Sequence, residues 1–235
     1  MLSELRARQG GSGTGLVSME GGREGLPILG GGGFVRTPGL VPGELVNRSI
    51  EFFFNELDGT VPILHRESFE REIERAGTCL HAYCLLISFC AFVVVQTGGA
   101  VTVSCPAGSS SATSADGDMS ASTNGEDQQQ ASDLEYGRAL VREAMEVRKH
   151  LELFEAPARQ SILIAFFLYG SNIGLGNQRH AYYFLREATT LYTSGILDPE
   201  PSTDAEHPSV AGKLFWLLLV SERYALHYFL HYGTP

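Results

Sequence analysis

Apolar residues recur at helical spacing along most of this chain. Between residues 44 and 57 they fall every three or four positions, and the same spacing returns between 67 and 80. The next segment, 78–96, is apolar on nearly every side, which is typical of a helix buried among other helices. Its apolar stretch, Ala82–Val95, has 14 residues, fewer than the ~20 that cross a bilayer. We therefore predict three helices here, the third of them in a protein core.

A long amphipathic helix is predicted in the middle of the chain. Ser132 and Glu135 form a capping box, which would begin a helix that continues to about Phe154. The apolar positions expected to face the core are Leu140, Ala144, Val147 and Leu151. The charged positions expected to face water are Arg142, Glu143, Glu146 and Lys149.

The segment 161–198 predicts two helices joined by a short turn. Gly174 and Gly176 would end the first helix, and the second would begin at about Asn177. The second helix would end where Gly195 can adopt the left-handed conformation that closes a helix. The segment is therefore interpreted as a helical hairpin.

One more helix is predicted at the end of the chain, from about 209 to 232. Its apolar run contains the only tryptophan, Trp216, which we expect to pack against the preceding hairpin. No alternating pattern of the kind that indicates a strand competes with these helices. The predicted fold class is all-α, an array of antiparallel helical hairpins.

Two segments have a composition that does not build a core. Residues 1–43 contain 13 of the 27 glycines and would lose much backbone entropy on ordering, so we interpret them as a flexible linker. Residues 106–131 are mainly small and polar with no aromatic side chain, which predicts a disordered loop. The expected organisation is a linker followed by one helical domain, 44–235, that this loop interrupts.

The formal net charge is -10, and the lysines and arginines are scattered rather than clustered. Binding to a nucleic-acid backbone needs basic clusters that release counterions, so we do not expect this chain alone to bind DNA. The first nine residues mix charges with few apolar residues, unlike a secretion signal. The acidic composition suits a well-solvated domain.

Metal-binding and catalytic patterns are weak. The cysteines are Cys79, Cys84, Cys90 and Cys105. They lack the short C-x-x-C steps of a zinc site, so we interpret them as buried free thiols in a reducing compartment. His227 and His231 have a spacing that can hold a metal on a helix, but no third ligand is evident nearby. The sequence predicts no metal site, no catalytic residues and no enzyme.

One polar group in the hairpin is a candidate effector site. Tyr182, Tyr183, Arg186 and Glu187 add hydroxyls and charges to a largely apolar helix. Convergent polar groups inside an apolar bundle are what a small-molecule pocket needs. The alternative is that Arg186 and Glu187 pair with other helices only to satisfy burial.

Four blocks of sequence carry a family resemblance. The first runs from Phe52 through Val61-Pro62-Ile63-Leu64-His65-Arg66 to Phe69. The second is Cys84–Ala91. The third is the hairpin, with Tyr182-Tyr183-Phe184-Leu185, Arg186-Glu187-Ala188-Thr189-Thr190 and Gly195-Ile196-Leu197-Asp198. The fourth runs from Lys213-Leu214-Phe215-Trp216 to Ser221-Glu222-Arg223. In this order, over roughly 45–225, they resemble the regulatory domain, or middle homology region, of fungal zinc-cluster transcription factors.

The resemblance implies a nuclear, all-helical domain that regulates transcription by RNA polymerase II. The sequence of Arg186–Thr190 most resembles the sequences of those branches of the family that control carbon or sugar utilisation genes. The implied partners are coregulator proteins or a small-molecule effector, without a membrane, and dimerisation is left open. The family motifs imply structural roles for Pro62, His65, Gly195, Trp216, Glu222 and Arg223.

The chain departs from this family in one respect. The family's six-cysteine zinc cluster, which binds DNA, is absent, so no zinc cofactor is expected. A shortened product and a family member without a DNA-binding head both fit. Domains of this kind usually continue past the position of Pro235, so we expect an incomplete domain with exposed apolar surface on its last helices. The rival interpretation is a helical-repeat interaction scaffold unrelated to transcription.

Overall fold

The computed structural model describes residues 34–98, 124–151, 158–197 and 208–232. Within these ranges the regular structure is helical, which confirms the predicted all-α class. The helices are α1 Gly43–Phe52, α2 Arg66–Glu74, α3 Leu80–Gln96, α4 Asn124–Arg148, α5 Ala158–Gly174, α6 Gln178–Leu197 and α7 Pro208–Tyr232. A π-helical turn, Phe53–Leu57, extends α1, and a 3-10 turn, Arg75–Gly77, extends α2.

Helix α3 lies at the centre of the fold. Every residue of Ala82–Val95 is buried, because α3 packs against α4 and α5 as well as against α1 and α2. Helices α5 and α6 form the predicted hairpin, and α7 packs on α6. Among the described residues no single helix has the length and apolarity to cross a membrane. Helix α2 with its 3-10 turn reaches that length and apolarity only when it is taken together with α3, and the two are bent by 118° at the break between them.

Phenylalanine rings connect the helices through the core. The ring of Phe89 on α3 lies 5.4 Å from Phe53, 4.6 Å from Phe69 and 5.6 Å from Phe167 of α5. All four side chains are at most 1% exposed. Tilted and edge-on aromatic pairs at such distances add to the free energy gained by burial alone. Phe89 is therefore the hub that joins the first two helices to the hairpin.

Glycines allow the helices around α3 to approach it closely. A Cβ atom on Gly170 would lie 2.4 Å from the ring of Phe92, and one on Gly174 would lie 2.3 Å from a methyl of Val95. A Cβ atom on Gly137 of α4 would lie 2.6 Å from the other methyl of the same Val95. The absence of a side chain at these three positions thus sets the spacing of α4 and α5 from α3.

The segment 34–42, predicted as linker, is packed against the core. Phe34 is buried, with its ring 6.3 Å from Tyr83 and 5.7 Å from His150. The guanidinium of Arg36 lies 4.0 Å from the centre of the Tyr83 ring. We call residues 34–40 the arm. The prediction is wrong for these residues, because a few side chains suffice to dock them; residues 1–33 lie outside the described ranges.

A buried carboxylate holds the arm in place. Glu143 accepts hydrogen bonds from the backbone N–H of Thr37 at 2.9 Å, from its hydroxyl at 2.7 Å and from the Tyr83 hydroxyl at 3.2 Å. The Tyr136 hydroxyl donates to the carbonyl of Leu40 at 2.6 Å. Glu143 was predicted to face water, and it is instead 8% exposed. A charged side chain can occupy this core-facing position because three donors replace its water.

The long helix α4 begins earlier than its capping box predicts. It starts at Asn124, so residues 124–131 of the predicted loop are helical and Ser132 lies inside the helix. Residues 106–123 of that loop lie outside the described ranges. The predicted apolar stripe, Leu140, Ala144, Val147 and Leu151, is buried as expected.

The turn of the hairpin lies where the sequence predicts it, but the end of α6 does not. Helix α5 ends at Gly174, and Gly176 takes the left-handed conformation with φ of 75°. Gly195 was predicted to end α6 in that conformation, yet α6 continues through it to Leu197. A glycine inside a helix costs only about 1 kcal/mol relative to alanine, so Gly195 does not by itself end α6.

Candidate functional site

The four predicted effector residues point to different surroundings. Tyr182 donates a hydrogen bond from its hydroxyl to the carbonyl of Ala225 on α7. Tyr183 is 64% exposed. The Arg186 side chain is 72% exposed, and that of Glu187 is 15% exposed and faces Arg148 of α4. They share a helix but contact different neighbours: Tyr182 and Arg186 contact α7, and Glu187 contacts α4.

Arg148 and Glu187 form a buried ion pair between α4 and α6. Their side chains are 9% and 15% exposed, and the Arg148 guanidinium lies 5.0 Å from the centre of the Phe184 ring. One polar atom of each, Nη1 of Arg148 and Oε2 of Glu187, is buried without a hydrogen-bond partner among the described residues. These contacts are those of the packing interpretation, in which Glu187 joins two helices.

Polar contacts also join α6 to α7. The Thr189 hydroxyl lies 3.0 Å from Oε1 of Glu222, and Nη1 of Arg186 lies 3.5 Å from Oε2 of the same carboxylate. Burial raises the pKa of Tyr182, which contacts the same helix. Glu222 is therefore shared by two residues of the third sequence block, whereas the neighbouring Arg223 is exposed.

The remaining family-motif residues are structural or exposed. Pro62 lies in the extended link before α2, where the His65 carbonyl accepts the first helical hydrogen bond, from Phe69 N–H at 2.9 Å. Trp216 is 63% exposed, and its ring lies 5.5 Å from that of Phe215. Its predicted packing against the hairpin is wrong, because α7 turns Leu214 and Leu218 inward instead.

Cysteines contribute to packing. Cys84 and Cys90 are buried free thiols, as predicted, and burial raises the pKa of each to about 12. Cys79 is half-buried, and Cys105 lies outside the described residues. Within the described ranges, no three His, Cys, Asp or Glu side chains are placed to hold a metal ion.

A groove that the sequence did not reveal lies between α4 and the α5–α6 hairpin. We call it the α4 groove. Its volume is about 260 Å³. Its lining consists of Arg138, Val141, Arg142, Met145, Asn172, Leu175, Asn177, His180 and Phe184. These residues come from three helices and a turn, so no local motif could join them; the only local signal was the i,i+4 spacing of Arg138 and Arg142 on α4.

Comparison with known proteins adds no relative. A scan against protein-family models found no match. A search of curated proteins and a search of solved structures found none either. The family resemblance therefore rests on the four sequence blocks alone.

Proposed function

We propose that this chain is a regulatory domain of the fungal zinc-cluster transcription factor type, acting in the nucleus on transcription by RNA polymerase II. In this proposal the chain contributes no DNA-binding head and no catalysis. It influences transcription by contacting coregulator proteins or by responding to a small molecule. Genes of carbon or sugar utilisation are the proposed targets.

One observation carries the proposal: the four blocks pack on one another in chain order. The first block meets the second where Phe69 contacts Phe89, and the second meets the third where Phe89 contacts Phe167. The third meets the fourth where Thr189 contacts Glu222. Residues that carry the resemblance thus form the contacts between successive blocks, as expected if the blocks mark one inherited domain core.

The exposed side of α7 supports action through protein contacts. The large apolar side chains exposed there are Phe215, Trp216, Val220, Tyr224 and Leu226. Three of them, Trp216, Val220 and Tyr224, recur every four residues and so share one face of the helix. Aromatic side chains are enriched in the centres of protein interfaces. This face is also the exposed apolar surface that the sequence predicts for the last helices.

A reporter experiment tests the proposal. The whole chain is fused to an unrelated sequence-specific DNA-binding domain, and transcription from a promoter carrying its site is measured in fungal cells. We expect the fusion to change transcription several-fold relative to the DNA-binding domain alone. A Trp216→Ser/Tyr224→Ser variant should lose most of that change, because it removes exposed side chains without opening the core.

The matched control is Tyr183→Ser, an equally exposed aromatic residue on α6, which should leave the transcriptional effect unchanged. Circular dichroism of each purified chain verifies that the helices are intact. A folded, nuclear fusion with no effect on the reporter would reject the proposal and favour the helical scaffold unrelated to transcription.

A further inference from the structure

We propose that the α4 groove binds a small organic anion, a compound with a carboxylate or phosphate monoester group and a short apolar part. As an effector site, it would rest on the regulatory function proposed above. Binding itself does not depend on that function. The proposal moves the ligand site from the α6 residues predicted from sequence to the groove between α4 and the hairpin.

The charge of the lining favours an anion. The lining side chains that carry or can take up charge are Arg138, Arg142 and His180, and none of the described lining residues is acidic. This is unusual in a chain with a net charge of -10. Arg138 and Arg142 lie one turn apart on α4, where like charges repel. A bound anion would remove that repulsion and accept paired hydrogen bonds from a guanidinium.

The two arginines differ in their existing partners. Arg138 lies 3.0 Å from the carboxylate of Glu135, but both side chains are about half exposed or more, so water weakens the pair and it can exchange partners. Arg142 is exposed and makes no ion pair with any described residue. Arg142 is therefore the side chain most available to a ligand.

The groove also has apolar lining on both sides, from Val141 and Met145 on α4 and from Leu175 and Phe184 on the hairpin. Phe184 is 2% exposed, and Val141, Met145 and Leu175 complete the apolar lining. The Asn172 side-chain amide is fixed by donating to the Leu168 carbonyl at 2.7 Å, and the backbone carbonyl of Asn172 accepts a hydrogen bond from the N–H of Asn177 at 2.8 Å. Asn172 and Phe184 are thus held in place before any ligand arrives, which lowers the entropic cost of binding.

The size of the groove limits the ligand. Its volume of about 260 Å³ is just below the ~300–1,000 Å³ of most small-molecule sites. A nucleic-acid backbone would need a longer basic stripe. The geometry therefore selects a single small anion whose apolar part can lie against the half-buried side chains of Val141, Met145 and Leu175.

Calorimetric titration of the full chain tests this inference. The two probes are citrate, a carboxylate without a ring, and phenyl phosphate, a phosphate monoester with an apolar ring, both at constant ionic strength. We expect saturable binding of at least one probe below about 10 mM, and the stronger probe tells whether the ligand class is a carboxylate or a phosphate ester. Binding should also raise the unfolding temperature, since only the folded chain contains the groove.

An Arg142→Gln/His180→Gln variant should weaken binding at least tenfold. Both side chains are exposed, so the fold should persist, which circular dichroism verifies. The matched control is Lys149→Gln, which removes an exposed cation directly after α4 and outside the groove and should leave affinity unchanged. No saturable binding of either probe, or equal loss in the control, would overturn the inference, and neither result depends on the reporter experiment.

Discussion

Helices α3 and α7 are both rich in apolar residues, yet they have opposite fates in the structure. Every residue of Ala82–Val95 in α3 is buried. In α7, only Leu214, Leu218 and Ala225 are buried hydrophobic residues among its described side chains, while Trp216 is 63% exposed. The difference arises from their neighbours: α3 packs against four helices, whereas α7 packs against α6.

The comparison distinguishes a helix that stabilises the fold from a helix whose surface is available to a partner. Helices surrounded on all sides lose the most apolar surface to the core, so they supply most of the hydrophobic free energy of folding. A helix packed on one side opens more readily and offers its other side to a partner. We therefore expect substitutions in the α3 core to affect stability strongly and substitutions on the exposed side of α7 to affect it little.

The largest effect is expected at Phe89. Replacing it with alanine removes the ring that contacts Phe53, Phe69 and Phe167 and leaves a cavity. Phe→Ala substitutions in cores typically cost ~3–5 kcal/mol, a large part of a domain's usual ~5–15 kcal/mol. Urea unfolding measures the loss. A loss below about 1 kcal/mol would mean that α3 is not the main source of stability.

Breaking the buried ion pair should rank next. Glu187→Gln leaves the Arg148 guanidinium buried without its counter-charge, and breaking a buried pair costs roughly 3–5 kcal/mol when it is fully enclosed. The residual exposure of both side chains reduces our estimate to about 2–3 kcal/mol. The matched control is Glu146→Gln, which breaks the exposed pair with Lys149 and should cost below ~0.5 kcal/mol.

A double replacement separates charge from packing at this pair. Arg148→Met with Glu187→Leu removes both charges and keeps much of the volume, so stability should largely return. If the double variant is as unstable as Glu187→Gln alone, the single substitution acts through lost packing rather than an unpaired charge.

Two glycines give a paired test of close packing. Gly170→Ala places a methyl 2.4 Å from the Phe92 ring, and such overpacking typically costs ~1–3 kcal/mol. Gly212→Ala in α7 meets nothing within 4 Å, so helix propensity alone should stabilise by up to ~1 kcal/mol. Thermal unfolding should therefore shift in opposite directions. A shift of the unfolding temperature in the same direction for both variants would contradict the contrast between close packing around α3 and open packing around α7.

Much of the helical core could be predicted from sequence, because helical spacing and apolar runs report burial directly. The buried stripe of α4 and the turn at Gly176 are examples. Exposure in α7 was not predictable in the same way. That helix is apolar on more than one side, so its sequence does not indicate which side packs against α6. Trp216 is therefore predicted on the buried side, whereas the structure places it on the exposed side.

The arm and the α4 groove could not be predicted because they depend on contacts between distant residues. Glu143 looked like a solvent-facing charge until Thr37, 106 residues away, was seen to donate to it. Similarly, Arg142 and His180 line one groove only because α4 packs beside the hairpin. Local patterns carry no information about such partners.

The arm should be released by a smaller change than those in the core. Thr37→Val removes the hydroxyl that donates to Glu143 at 2.7 Å but keeps the backbone N–H bond, so we expect a loss of about 1 kcal/mol. Hydrogen exchange of residues 34–40 should quicken more than that of α3. Thr60→Val, whose hydroxyl contacts only the Leu57 carbonyl nearby, is the control; equal effects would show that the arm contact is not special.

The smallest effect is expected at Trp216, the other extreme of the comparison with Phe89. Because its side chain is 63% exposed, Trp216→Ala should change the free energy of unfolding by less than ~0.5 kcal/mol, as is usual for surface positions. It is the only tryptophan, so intrinsic fluorescence reports on α7 alone. We expect emission close to that of the unfolded chain and ready quenching by acrylamide. Blue-shifted emission protected from acrylamide, together with a loss of several kcal/mol on substitution, would show instead that this side of α7 is covered and that the contrast with α3 does not hold in solution.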